Sequence, residues 1–135
     1  MTPMKFSHLG IAVSNIEKAI LIYRDIFGYK LLSGPYHDPV QKVSVCFLGT
    51  EIPRDPEIEL VAPLGDDSPI NRILSSEIGI YHLSYEVEDI DRTLANVRAK
   101  GCVVISKPVS AVAFAGRRIA WFYTPTHQLI EVVER

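Results

Sequence analysis

Two histidines stand 74 residues apart in similar surroundings, His8 in S-H-L-G-I-A-V and His82 in Y-H-L-S-Y-E-V. Each half of the chain also carries a glutamate flanked by aliphatic residues: Glu59 between Ile58 and Leu60, and Glu131 between Ile130 and Val132. Side chains alternate across a strand, so each of these polar groups points away from its apolar neighbours. Carboxylates withdrawn from water among aliphatic strands are costly unless a cation pairs with them, and these strands hold few basic residues. One divalent metal ion resolves the cost. Two neutral imidazoles and two carboxylates balance a 2+ charge and suit Zn, Co, Ni, Mn or Fe. In an octahedral ion two positions stay open, which fits a bidentate oxyanion such as an enolate. A single strand histidine near a glutamate is more often a hydrogen-bonded structural residue. The recurrence of both types at matched places in the two halves makes His8, Glu59, His82 and Glu131 the metal ligands of this reading.

The elements that must hold these groups follow from the hydrophobic period. Residues 6–13 alternate as a strand with one apolar face. Ile16, Ala19, Ile20 and Tyr23 recur at helical spacing, with Ser14 or Asn15 as the cap and Gly28 as the stop, which predicts a helix over about 15–27. Residues 29–33 read as a short strand, 34–39 as a loop rich in turn formers, and 42–48 and 57–62 as two further strands. Ser68 and Pro69 open a short helix over 70–74 within a connector. The same order then restarts: a strand over 80–87, a helix over 89–100 closed by Gly101, and strands over 103–106, 117–123 and 129–133. Shifting the chain by 74 residues also superposes Leu9 on Leu83, Val13 on Val87, Ile16 on Ile90 and Ile20 on Leu94. The class is α+β: two βαβββ modules forming a curled mixed sheet around a metal cleft, the helix-facing leucines turning both histidines inward. The 135 residues make one domain, with module 1 over about 5–63, a connector over about 64–78 and module 2 over about 79–135.

Composition narrows the partners. Fourteen Lys and Arg oppose sixteen Asp and Glu, for a net charge of −2 without a basic run, which argues against nucleic acid. Neither a charged segment leading an apolar run nor about 18 continuous apolar residues is present, so no signal peptide and no membrane span is expected. Cys46 and Cys102 are too few for a disulfide framework, which fits a cytoplasmic protein.

The segments H-L-G-I-A-V-S-N-I-E-K-A-I-L-I-Y-R-D-I-F-G-Y (8–29), Y-H-L-S-Y-E-V-E-D-I-D (81–91), G-R-R-I-A-W-F-Y-T-P (116–125) and L-I-E-V-V-E (129–134) resemble the vicinal oxygen chelate superfamily. This group includes glyoxalase I, bleomycin resistance proteins, dioxygenases and methylmalonyl-CoA epimerase. The stretch A-P-L-G-D-D-S-P-I (62–70) is most similar to the epimerase branch. The resemblance implies a metal at His8, Glu59, His82 and Glu131, proton abstraction next to a carbonyl through a metal-bound enolate, and pairing of chains into a homodimer. In the epimerases the last-strand glutamate is also a base, and a second glutamate in P-E-Q-G-V works from the opposite side. Here that run reads Pro39-Val40-Gln41-Lys42-Val43, and valine moves no proton. His37, Asp38 and Gln41 are polar groups in or beside the same turn, each also readable as a turn residue.

Glu131 is thus the expected catalytic base, and Arg117 and Arg118 are the expected contacts to a substrate carboxylate or phosphate. The expected reaction is that of an isomerase or lyase, epimerase-like or lactoylglutathione lyase-like, on an acyl thioester or an α-hydroxy-carbonyl adduct. The alternative is a non-catalytic small-molecule binding or resistance protein of the same fold.

Overall fold

The computed structural model describes residues 3–77 and 79–135; Ile78, at the expected end of the connector, and Met1-Thr2 lie outside the described residues. In chain order the elements are β1 (Lys5–Ala12), α1 (Ile16–Phe27), β2 (Lys30–Asp38), β3 (Val43–Gly49), β4 (Glu57–Pro63), α2 (Ile70–Ser75), β5 (Ile80–Val87), α3 (Ile90–Ala99), β6 (Val103–Val104), β7 (Val109–Ser110), a 3-10 turn (Val112–Phe114), β8 (Arg118–Tyr123) and β9 (Leu129–Glu134). They divide into two compact units: His8–Tyr81, and a second holding His82–Arg135 together with the chain up to Ser7.

In the unit His8–Tyr81 the strands run β2-β3-β4-β1, with β1 parallel to β4 and the other pairs antiparallel. Asn15 caps α1 by accepting the Lys18 N–H, and Gly28, at φ 78°, ends it in the left-handed region. Ile16 and Ala19 of α1 pack on Cys46, Leu48, Ile58, Leu60 and Ala62, one alternating face of β3 and β4. Each large aliphatic side chain buried there contributes about 1.5–3 kcal/mol. Register puts His8 and Gly10 on the opposite face with Glu57, Glu59, Val61, Val45 and Phe47. The run 34–39 departs from the loop that its composition suggests: residues 34–38 are the distal half of β2, and Pro39 begins the turn to β3. Two register shifts, between Leu31 and Ser33 and between Ser33 and Tyr36, let the strand absorb the turn formers without leaving β3.

The other unit repeats the plan, with strands in the order β5-β9-β8-β6, β5 parallel to β9, and β7 also paired to β8. Asp89 caps α3 through the Arg92 N–H, and Ile90, Leu94 and Val97 pack on Val87, Ala120, Phe122, Ile130 and Val132. The expected strand over 103–106 shortens to two residues. The pairing with β8 is taken up again by β7, where the sequence reads only as a break. The architecture is mixed α+β. Among the described residues no helix is long and apolar enough to cross a membrane.

Candidate metal centre

In the unit His8–Tyr81, His8 lies mid-β1 and Glu59 mid-β4, at 0% and 4% exposure. Parallel register pairs Gly10 with Glu59, and His8 is two residues before Gly10 on the same face. His8 Nε2 lies 3.7 Å from Glu59 Oε1. That gap is too long for a hydrogen bond and close to the roughly 3.0–3.4 Å that separates two donors bound to one ion at about 2.1 Å. Phe47 of β3 stands edge-on to the His8 ring, with centroids 5.4 Å apart, and holds its plane. Burial raises the Cys46 thiol to about 11, with the charge of Glu59 adding to the rise.

The other unit has its own matched pair. His82 on β5 and Glu131 on β9 are each 2% exposed. Ser84, two residues after His82, is the register partner of Glu131, so all three share a face. The Ser84 hydroxyl donates to Glu131 Oε1 at 2.8 Å. Trp121, the β8 partner of Glu131, stands edge-on to His82 with centroids 4.9 Å apart. Phe47 and Trp121 are also separated by the 74-residue repeat, so each histidine meets an aromatic ring at the equivalent place. The sequence reading missed this pair, although the same shift applied to 47 and 121 exposes it. Ser84 carried no comparable signal.

Each unit thus offers one buried imidazole and one buried carboxylate, ligand types that suit zinc and its first-row neighbours, and a bound cation would remove the cost of burying the carboxylate.

The two arginines part company. Arg118 on β8 donates to Glu134 through Nε at 3.0 Å and Nη2 at 2.9 Å, and to Asp91 at 3.1 Å. Glu134 also accepts the Ile90 N–H at the start of α3. The Arg118 guanidinium therefore holds the Glu134 carboxyl below the usual range, while Arg118 itself titrates higher. This arginine shares the α3-facing side of β8 with Ala120 and Phe122. Arg117, just before β8, reaches Glu86 at 3.6 Å and lies over the Phe114 ring at 5.9 Å. Glu86 also meets Lys5 at 3.4 Å and Arg135 at 3.9 Å, so three cations surround one carboxylate on the strand that carries His82.

In the β2–β3 turn, Val40 is 64% exposed. Asp38 Oδ1 accepts the Val40 and Gln41 N–H groups at 2.9 and 3.0 Å, which closes the turn. His37 Nδ1 is hydrogen-bonded to Ser44 Oγ at 2.8 Å.

Comparison with known proteins bears on this site. The Glyoxalase/Bleomycin resistance protein/Dioxygenase superfamily matches residues 7–121, the group also described as vicinal oxygen chelate proteins. The ethylmalonyl-CoA/methylmalonyl-CoA epimerase of Cereibacter sphaeroides is 31% identical over 88% of this chain and 87% of its own. The mitochondrial methylmalonyl-CoA epimerase of Dictyostelium discoideum is 28% identical over 97% and 78%. A lactoylglutathione lyase of Arabidopsis thaliana is 29% identical over 97% of this chain and 44% of its own. The crystal structure of methylmalonyl-CoA epimerase from Mycobacterium tuberculosis shares the fold at TM-score 0.79 and 27% identity, covering 99% of this chain and 92% of that one. These relatives are enzymes, isomerases and a lyase.

Proposed function

We propose a function from one premise: the chain belongs to the Glyoxalase/Bleomycin resistance protein/Dioxygenase superfamily. The protein is read as a metal-dependent isomerase or lyase that removes a proton beside a carbonyl. Its preferred substrate is a small acyl thioester of the malonyl-CoA type, after the epimerases it resembles.

The observation that carries this reading is the duplication of a buried His/Glu pair, His8 with Glu59 and His82 with Glu131. The four would hold one divalent ion, which when bound would polarise the substrate carbonyl and stabilise the negative charge that builds on its oxygen, a contribution of several kcal/mol. Glu131 would take the α-proton, its carboxylate oriented by the neighbouring Ser84 hydroxyl. Phe47 and Trp121 keep the two imidazole planes upright. Arg117 would meet an anionic part of the substrate, helped by the excess of cations around Glu86. Arg118 is the weaker contact, since its guanidinium is spent on Glu134 and Asp91.

Val40 occupies the turn where the epimerase pattern has its second base, and Asp38 is engaged in closing that turn. A one-base reaction follows: exchange of the α-proton with solvent should outrun inversion of the centre. The chain is further read as a cytoplasmic homodimer. Exposed Ile26, Phe27, Leu31 and Leu32 are surface of the kind a second copy covers, and a monomer in equilibrium sedimentation would remove that part.

The test is α-proton exchange of methylmalonyl-CoA in deuterated water, read by mass spectrometry, with metal content measured in the same sample. Wild type should hold one ion per chain and take up deuterium. Glu131→Gln should slow exchange by about 10²- to 10⁴-fold with the fold intact. Protein that takes up no metal, and exchanges neither this thioester nor a glutathione hemithioacetal, would point instead to the binding-protein alternative.

A further inference from the structure

We propose that Ser84 is a positioning residue for Glu131, and that it makes two otherwise matched carboxylates unequal; this rests on the reading of Glu131 as the base. Ser84 is wholly buried, and its hydroxyl donates to Glu131 Oε1 at 2.8 Å. The two residues are register partners on adjacent parallel strands, so hydroxyl and carboxylate rise side by side from one face. In the other unit the register partner of Glu59 is Gly10, and Gly10 is the residue 74 positions before Ser84. The duplication therefore keeps the glutamate in both halves but has a side-chain hydroxyl at the register-partner position of only one of them.

The terminal torsion of a glutamate is broad, so a carboxylate without a fixed neighbour samples many orientations of its plane. A buried donor on a rigid strand selects one of them. That selection matters most for a base, which must come within about 3 Å of the proton that it takes. Glu131 is the carboxylate held in this way. Glu59 has glycine at the equivalent register position, so no hydroxyl reaches it from that place. The division of labour between the two modules is thus written at positions 10 and 84 more than in the glutamates themselves.

Two variants test this. Ser84→Ala removes the hydroxyl with little change in volume, and Ser84→Thr keeps it. Zinc affinity is read by competition with a chelating dye, kcat and KM by α-proton exchange of methylmalonyl-CoA, and folding by the unfolding temperature. Ser84→Ala should lose about 10- to 100-fold in zinc affinity and in kcat, the usual consequence of removing a partner of a metal-binding group. KM and the unfolding temperature should stay near those of wild type, and Ser84→Thr should retain affinity and turnover. A Ser84→Ala protein within about twofold of wild type in both affinity and kcat would overturn the proposal. So would equal losses in the two variants. Glu131→Gln run in parallel separates the two levels: if it stops exchange while Ser84→Ala does not, only the role of Ser84 fails. If Glu131→Gln exchanges normally, the base reading itself fails.

Discussion

Trp121 is the only tryptophan in the chain, and its ring stands edge-on to His82 at 4.9 Å. It should therefore report directly on what His82 binds. Titration with cobalt(II), whose open d shell quenches indole emission, should lower the fluorescence and saturate at one equivalent, and His82→Gln should remove the response. Emission that ignores saturating cobalt would take His82 out of the ligand set. At this scale the candidate site was legible wherever a residue type recurs at the repeat distance. His8 with His82 and Glu59 with Glu131 stand out because buried polar residues are rare enough for their recurrence to carry information. Ser84 does not stand out, because a serine on a strand has many ordinary reasons to be there and only its register against β9 reveals its partner. Arg117 and Arg118 were indistinguishable from sequence for a related reason. Neighbours on an extended chain face opposite ways, but which face holds Glu134 and Asp91 depends on α3, several strands of pairing away.

Among the elements, the helices and most strands follow from period and caps, since Asn15 and Asp89 accept N–H groups where the hydrophobic pattern starts. The distal half of β2 did not, because composition weighs Gly34, Pro35 and Asp38 as turn formers while pairing with β3 overrules them. Gly34 is what makes the overruling possible. It sits at φ +91°, and a Cβ there would meet the Val45 carbonyl oxygen at 2.8 Å. Gly34→Ala should accordingly cost about 1–3 kcal/mol through backbone strain, before any displacement of β3. Urea unfolding measures it: a midpoint unchanged from wild type would mean that β2 leaves the sheet at this point without penalty. β7 escaped sequence reading, and the expected strand over 103–106 is two residues too long, because two-residue strands have no period to detect.

At the scale of the whole molecule, part of the stability lost in acid should come from the ion-pair cluster at Glu134. Glu134 is held below the usual carboxylate range chiefly by the hydrogen bond from Arg118, and it also receives the Ile90 N–H of α3. A carboxyl depressed by folding contributes stability above its unfolded value, about 4.3, and loses that contribution as pH falls through the folded value. The gap in unfolding temperature between wild type and Glu134→Gln should be widest near pH 7 and close as pH drops through that window; a gap independent of pH would mean that the charge of Glu134 is not what holds β9 to α3. Length carries a different sensitivity. The division between the two units falls inside strands, between Ser7 and His8 in β1 and between Tyr81 and His82 in β5. Adding or dropping one residue beside either histidine would swing its ring to the reverse of the sheet, since a strand has a period of two. Two residues would restore the side but shift the ring by about 6.7 Å along the strand. The stretch 64–69 can drift in length across a lineage as loops do, whereas a change in the spacing from either histidine to its glutamate would keep the core and part the imidazole from its carboxylate.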